Sequence, residues 1–400
     1  MSIGNRSIWN NKAFVTLFGT AFFVNMGVKI YGLALPLVIY DLTQSSVMMG
    51  YIRAVEFMPH ILLAAFIGVI IDRFNKKLWS QFMLSIQIIF LLMTYLSIHY
   101  LKNPNCLLFL AAFIMMACDN GYNNARLAMI KKVIPQDQLN TATAKMSGLY
   151  SFFDAVGPMM AGTLFLFSSV YDSFLAVMIV FIVAALVLSR LNYYEVPDPK
   201  QETVLASLVF GWKTLRNRPK MWLITLAIMV LNATSSVFTL QILYCSKETL
   251  NLSDTEIGYL FFLAGIGGVW GAVVADRMRN RFGLGNLFTY TIALEALGFL
   301  LIAAYPSLLP MVVTLFWTSA MHIMTNICVW TYRQEAFDKS VIGRITGITG
   351  MISKIGMPVS LMASGYAVSI FGSSIIFIVC ALIQLLVAIS MFLSPVRNLS

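Results

Sequence analysis

Ionisable side chains interrupt long apolar segments of this sequence, and they are the residues that could do chemistry. They are Lys29, Arg53, Glu56, Asp119, Lys145, Asp154, Glu295, His322 and Lys354. A charged group deep in an apolar helix costs a few kcal/mol unless it faces a water-filled cavity or pairs with an opposite charge. An acid or an imidazole in such a place can also change its charge as its surroundings change, which favours proton transfer.

Spacing suggests which of these groups pair. Arg53 and Glu56 fall on one face of a helix, and Asp119 shares a face with Arg126. Protonation of an acid would break an ion pair with Lys29 or Arg53 and change the charge of the site. The predicted proton-coupling residues are Glu56, Asp119, Asp154 and Arg53. The alternative is that these are fixed pairs that only orient helices.

The composition places these residues on membrane helices. The 400 residues are 59% hydrophobic and 11% charged, and the mean hydropathy is +0.81. A bilayer core about 30 Å thick needs about 20 apolar residues per helix. Such segments predict twelve helices, at 14–40, 47–71, 78–99, 106–130, 139–167, 172–190, 221–245, 255–276, 286–304, 308–332, 343–369 and 372–394.

The distribution of charge predicts the orientation of these helices. Most of the 27 Lys and Arg residues fall on one side, whereas Lys102 and Lys247 fall on the other. By the positive-inside rule both termini are cytoplasmic. The net charge of +10 could suggest a nucleic-acid partner, but its one-sided distribution argues against one. The five Cys residues lie in or beside apolar spans without a CxxC pair, so we expect neither a disulfide nor a metal site.

The chain divides into two halves that repeat one another. A linker at 191–220 separates an N-terminal six-helix bundle at 1–190 from a C-terminal six-helix bundle at 221–400. The segment GVIIDRFNKK at 68–77 follows the second helix, and AVVADRMRNR at 272–281 follows the eighth. A duplication of six helices explains this repeat.

This arrangement resembles the major facilitator superfamily over nearly the whole chain. The family signature after the second helix is matched here by Gly68, Asp72, Arg73, Lys76 and Lys77. Asn75 replaces a second Gly of the signature, and Asn tolerates the left-handed turn conformation. The resemblance implies an all-α membrane protein, with twelve transmembrane helices in two pseudo-symmetric six-helix bundles and no cofactor.

In that family the signature cluster stabilises the outward-facing state, so the resemblance implies a conformational latch here. Arg126 is the candidate partner of Asp72. The equivalent residues of the second half are Asp276 and Arg277. The alternative is a loop that merely sets the topology.

The resemblance also implies which side chains line a central cavity, because the first, fourth, seventh and tenth helices surround it in this fold. The predicted cavity residues are Lys29, Asp119, Asn232, His322 and Asn326. Glu295 stands alone on a peripheral helix and receives no role.

Two segments, 124–149 and GRITG at 343–347, resemble the macrolide-efflux and enterobactin-exporter branch of the family. GPMMAG at 157–162 resembles its antiporter motif, with Ala161 in place of one Gly. Gly157, Pro158 and Gly162 are predicted to let another helix approach closely, so that one bundle can rock against the other. The alternative is ordinary transmembrane packing.

These observations predict a monomeric transporter of the bacterial inner membrane that exports a small amphipathic organic molecule in exchange for protons. The substrate is a drug such as a macrolide, or a siderophore, and the mixed charges favour a zwitterionic or anionic chelator. No GxxxxGK[ST] sequence is present, so ATP is not the direct energy source. An importer of the same fold and a non-transporting receptor or scaffold are the alternatives. An enzyme is not expected, because no nucleophile and base occur at a recognisable spacing.

Overall fold

The computed structural model describes residues 7–63, 71, 74–194, 204–338 and 341–399, with no side-chain positions for 204–208. Helices make up most of these residues. They are α1 (Lys12–Thr43), α2 (Ser46–Leu62), α3 (Lys76–Tyr100), α4 (Asn105–Val133), α5 (Leu139–Phe167), α6 (Ser173–Ser189), α7 (Val204–Arg216), α8 (Pro219–Glu248), α9 (Asp254–Phe282), α10 (Leu284–Ala304), α11 (Leu308–Ala336), α12 (Ile342–Ile352), α13 (Gly356–Phe371) and α14 (Ser373–Leu393).

The described helices coincide with the predicted spans. Among the described residues, ten helical segments are long and apolar enough to cross a membrane, with α12 and α13 counted as one. Helix α6 is apolar but shorter, at 17 residues, and α2 is described as far as Leu62. The fold class expected from the sequence, two six-helix bundles of membrane helices, is confirmed. The predicted linker contains α7, which the hydropathy pattern did not indicate.

The helix ends define two faces of the bundle. What we call the terminal face carries residues 8–10, 74–75, 134–138, 283 and 395–398, and therefore both ends of the described chain. What we call the opposite face carries residues 44–45, 101–104, 168–172, 249–253, 305–307 and 372.

Asn75 fixes the start of α3. Its side-chain oxygen accepts hydrogen bonds from the backbone N–H groups of Lys77 and Leu78, at 3.0 and 3.2 Å. Its φ angle is −62°, so the left-handed turn expected at this residue is wrong. Asn is among the preferred residues that cap the start of a helix, and this role explains its place after the signature cluster.

The span predicted at 343–369 is broken into α12 and α13. Pro358 lies near the start of α13, and proline lacks the N–H that would bond the carbonyl of Lys354. The carbonyl of Ser353 at the break accepts a hydrogen bond from the Asn232 side chain of α8, at 3.0 Å. The break is therefore stabilised by the neighbouring helix and places Lys354 at its centre.

Two crossings of close-packed helices join the halves near the opposite face. A Cβ added at Gly50 of α2 would lie 3.1 Å from the Cα of Gly365 in α13. A Cβ added at Gly162 of α5 would lie 2.8 Å from the Cα of Gly258 in α9. Ser46 also donates a hydrogen bond to the Gly365 carbonyl, at 3.0 Å. Small residues let these backbones touch and hold the opposite face together.

The terminal face is looser where the same helices reach it. A Cβ added at Gly148 of α5, or at Gly343 and Gly347 of α12, meets no described atom within 4 Å. Lys145 of α5 is exposed, although it lies within an apolar helix. Because an exposed ammonium is costly in lipid, we expect Lys145 to face water at this end of α5.

Candidate functional site

A cavity of about 760 Å³ lies between the two halves. Helices α2 and α5 of the first half and α8, α9, α10, α11 and α13 of the second contribute to its wall. A smaller cavity of about 320 Å³ adjoins it and is lined mainly by α1 and α2. Arg53, Phe57, Pro158, Thr239 and Phe261 line both, so the two cavities form one continuous site.

Two ion pairs form the charged wall of the first half. The Lys29 ammonium of α1 lies 2.5 Å from the Asp154 carboxylate of α5. The Arg53 guanidinium donates to Glu56 at 2.9 Å and to the Gly32 carbonyl at 2.7 Å. Spacing alone pointed to the second pair, whereas Lys29–Asp154 joins residues 125 apart in sequence.

The two pairs differ in their contact with water. The side chains of Lys29 and Asp154 are 35% and 60% exposed, so this pair stands at the open part of the cavity. The Glu56 side chain is 5% exposed, and its carboxylate depends on Arg53 for compensation of its charge. Loss of the charge on Glu56 would therefore change the site more than loss of the charge on Asp154.

The second half contributes a polar cluster that the sequence did not predict. Glu295 of α10 is 2% exposed and lines the larger cavity. It accepts a hydrogen bond from Ser235 of α8 at 2.8 Å, and its Oε1 lies 3.6 Å from Nδ1 of His322 in α11. Gln384 of α14 donates to Thr234 beside this cluster, at 3.2 Å. A carboxylate from a peripheral helix thus reaches the cavity between α8 and α11.

The other predicted cavity residues take different positions. Asn232 lines the larger cavity and also a separate one of about 280 Å³, which Asn326 and Arg333 line nearer the terminal face. Asp119 of α4 is buried, and it does not line the two adjoining cavities, although Met116 of the same helix does. The cations whose charges act on Asp119 are Arg126, Lys29 and Lys354. Asp119 therefore lies behind the wall of these cavities, and its charge interacts with those of the three bases.

The sequence matches the Major Facilitator Superfamily across residues 17–361. The chain belongs to this superfamily. It is 21% identical to the MFS-type transporter YvqJ of Bacillus subtilis, over 98% of this chain and 94% of the relative. It is also 21% identical to the MFS-type transporter y4rN of Sinorhizobium fredii, over 90% of each chain.

Solved structures of transporters share the fold. The nucleoside transporter NupG superposes with a TM-score of 0.78 at 14% identity, covering 96% of this chain and 99% of that one. A bacterial homologue of the iron transporter ferroportin in the inward-facing state gives a TM-score of 0.76 at 12% identity, covering 97% and 100%. This major facilitator protein is thus a membrane transporter in fold and family.

The signature cluster of the superfamily is described in part. Gly68, Asp72 and Arg73 lie outside the described residues. Lys76 is buried, and the Lys77 ammonium donates to the carbonyls of Ser189 and Leu191 at the end of α6, at 2.8 and 2.7 Å. A cation at the carboxyl end of a helix is favourable, so Lys77 ties α3 to α6 within the first half.

The remaining candidates of the latch are divided between the halves. Arg126 is 2% exposed, and its guanidinium lies against the rings of Tyr122 and Tyr150, at 5.8 and 4.9 Å from their centroids. Asp276 and Arg277 are both exposed at the end of α9. An ion pair at this end is made by Arg279, which lies 2.6 Å from Glu335 of α11.

The motif on α5 meets both halves. A Cβ added at Gly157 would lie 2.6 Å from the Lys29 side chain, so this glycine makes room for the Lys29–Asp154 pair. Pro158 lines the cavity, and Gly162 packs on Gly258 of the second half. The three residues that the sequence grouped by spacing thus contact a cavity charge, the cavity itself and the crossing between the halves.

Proposed function

We propose that this major facilitator protein is a secondary transporter that exports a small amphipathic organic molecule by alternating access, in exchange for protons. The single observation that carries the proposal is the cavity between the halves, which is closed at one face and lined by ion pairs that a proton can break. One chain supplies the whole cavity wall, which supports a monomer as the working unit.

The distribution of Lys and Arg residues supports an orientation of the protein in the membrane. The loops of the terminal face carry most of the Lys and Arg residues, so this face is cytoplasmic in a bacterial inner membrane. The cavity then opens to the cytoplasm, and the two glycine crossings close the outer side. A substrate loaded in this state leaves when the glycine crossings separate and the terminal face closes.

The coupling step belongs to Arg53 and Glu56. While Glu56 is charged, it holds Arg53 at the junction of the two cavities. A proton that reaches Glu56 from outside neutralises it and frees the guanidinium, which changes the charge of the wall that the substrate meets. Lys29 and Asp154 form a second pair at the open part of the cavity, where exchange with water is easier.

The resemblance to the macrolide-efflux and enterobactin-exporter branch supports export and supplies the compounds to test. The opposite direction is the rival, since the superposed structures include a nucleoside transporter and a homologue of the iron transporter ferroportin. The test uses inside-out membrane vesicles and liposomes with an internal pH dye, to which macrolides and siderophores are added in turn.

We expect accumulation in energised inside-out vesicles and a substrate-triggered proton flux in liposomes. Glu56→Gln should abolish that flux, whereas Asp137→Asn, which removes an exposed acid of the terminal face, should leave it unchanged. Accumulation in right-side-out vesicles would show an importer. Transport without any proton movement in the unaltered protein would overturn antiport.

A further inference from the structure

The Glu295 carboxylate is buried and incompletely paired. Ser235 donates to its Oε1, but its Oε2 has no hydrogen-bond partner among the described residues. The Nδ1 atom of His322 likewise has none, and its distance of 3.6 Å from Oε1 is too long for a hydrogen bond. Buried polar atoms are nearly always satisfied in native proteins, so two orphaned acceptors on one cavity wall indicate a missing donor.

The charge balance of the cavity indicates the same kind of donor. The charged residues lining the two adjoining cavities are Lys29, Arg53, Glu56, Asp154 and Glu295. The four on the first half form two ion pairs with one another. Glu295 is the fifth charge, and the base beside it is the imidazole of His322, so it lacks the permanently charged partner that each acid of the first half has.

A purely structural role does not explain this carboxylate. The hydrogen bond from Ser235 would be kept by a glutamine, which carries no charge to bury. Glu295 also reaches the cavity from α10, whose other buried residues include Phe288, Ile292 and Phe299 in the core of the second half. An acid in such a setting is costly unless a cation arrives to pair with it.

We propose that Glu295 and His322 form the subsite that binds a protonated amine of the transported molecule. This assignment rests on the proposed transport function and names its substrate class. The ammonium donates to Oε2 of Glu295 and to Nδ1 of His322, with the imidazole proton on Nε2. It differs from the preference for a zwitterionic or anionic chelator over a plain cation that the mixed charges of the sequence suggested.

The rest of the wall suits the remainder of such a molecule. Phe57, Phe238, Phe261 and Leu315 line the same cavity and give it a mainly apolar surface. Phe238 is held in place by stacking on Phe299, with 4.0 Å between ring centroids. An amphipathic amine would place its charged end at Glu295 and its apolar body against these rings.

A matched pair of dyes tests the assignment on the purified full-length protein. Dansylcadaverine carries a primary amine that is protonated at neutral pH, and its N-acetyl derivative has the same fluorophore with a neutral amide in place of that ammonium. We expect the unaltered protein to bind dansylcadaverine at least tenfold more tightly, as measured by fluorescence polarisation. Glu295→Gln should remove most of that preference while changing the affinity for the acetylated dye less than twofold.

Controls separate binding from folding. Asp137→Asn should keep the full preference, and His322→Gln should reduce it by several fold. The thermal unfolding midpoint of each variant shows whether it is folded, and Glu295→Asp should restore part of the preference. Equal loss of affinity for both dyes, or no preference in the unaltered protein, would overturn the assignment.

The transport assay shows whether only the amine subsite is wrong or the proposed transport function also fails. If the protein exchanges a neutral or anionic compound for protons and Glu295→Gln does not alter that exchange, the function stands and the amine subsite is wrong. If no compound moves and no proton moves, the transport proposal itself fails.

Discussion

The Lys247 ammonium of the second half lies 3.2 Å from the Asp41 carboxylate of the first. The same ammonium lies 2.5 Å from Asp254 at the start of α9, so one cation joins α1, α8 and α9 at the opposite face. Beside it the Tyr40 hydroxyl donates to the Glu248 carboxylate. In the adjoining loop, burial raises the pKa of Tyr171, and the Asp41 and Asp254 charges add to that effect, so its phenol stays neutral.

Lys247→Ala should shift the protein toward the state that is open at the opposite face. The side chains of this ion-pair group are 14 to 23% exposed, and removing one partner of a well-buried pair typically costs about 3–5 kcal/mol, with less at partly exposed sites. We expect a tenfold or larger population shift. Spin labels at Asn103 and Ser307 measure the distance across this face, and Lys102→Ala, which removes an exposed lysine nearby, should leave the distance unchanged.

Arg53→Met should destabilise the protein more than the double variant Arg53→Met/Glu56→Gln. The single change leaves the Glu56 carboxylate buried without its cation, at a cost of roughly 3 kcal/mol or more, whereas the double change removes both charges. Thermal unfolding midpoints in one detergent give the comparison. Equal destabilisation would mean that the pair contributes through packing alone.

Gly258→Val should force α5 and α9 apart. Its side chain would collide with the backbone of Gly162 and Pro158, which no change of rotamer relieves. We expect loss of transport and a longer label distance across the opposite face. Gly148→Ala is the matched control on α5, because its Cβ meets open space and alanine favours the helix by up to about 1 kcal/mol.

Asn232→Leu should weaken the break between α12 and α13. The Ser353 carbonyl would lose the partly buried hydrogen bond from Asn232, and such a bond contributes about 0.5–1.5 kcal/mol. Hydrogen exchange of the amides from Ile352 to Gly356 should become faster than in the unaltered protein. Unchanged exchange would show that the break does not depend on α8.

Hydropathy and spacing predicted the spans and the Arg53–Glu56 pair, because both are properties of neighbouring residues. The partner of Lys29 could not be read in this way, since Asp154 meets it only when α1 packs on α5. Glu295 was missed for the same reason. It reaches the cavity between α8 and α11, and the sequence of α10 alone does not indicate how these helices pack. The one available signal was its charge, since Glu295 is an acid within an otherwise apolar segment.

The position of Asp119 shows a second limit of prediction from sequence. Helical periodicity placed it on the polar stripe of α4 with Arg126, and the fold directs that helix toward the cavity. Which of the turns along the stripe meets the open space depends on the tilt of α4 against α2 and α3. A difference of one turn decides whether an acid lines the cavity or lies behind its wall.

The two glycine crossings, Gly50 with Gly365 and Gly162 with Gly258, are related by the repeat of the chain and bring backbone against backbone. The atoms nearest to these glycines are backbone atoms, and Ser46 adds a hydrogen bond to the Gly365 carbonyl. Such contacts between backbones offer little steric resistance when two helices slide or separate. The energetic barrier to opening the opposite face is then concentrated in a few polar links, chiefly those of Lys247, Tyr40 and Ser46, where one substitution can tune the rate of opening.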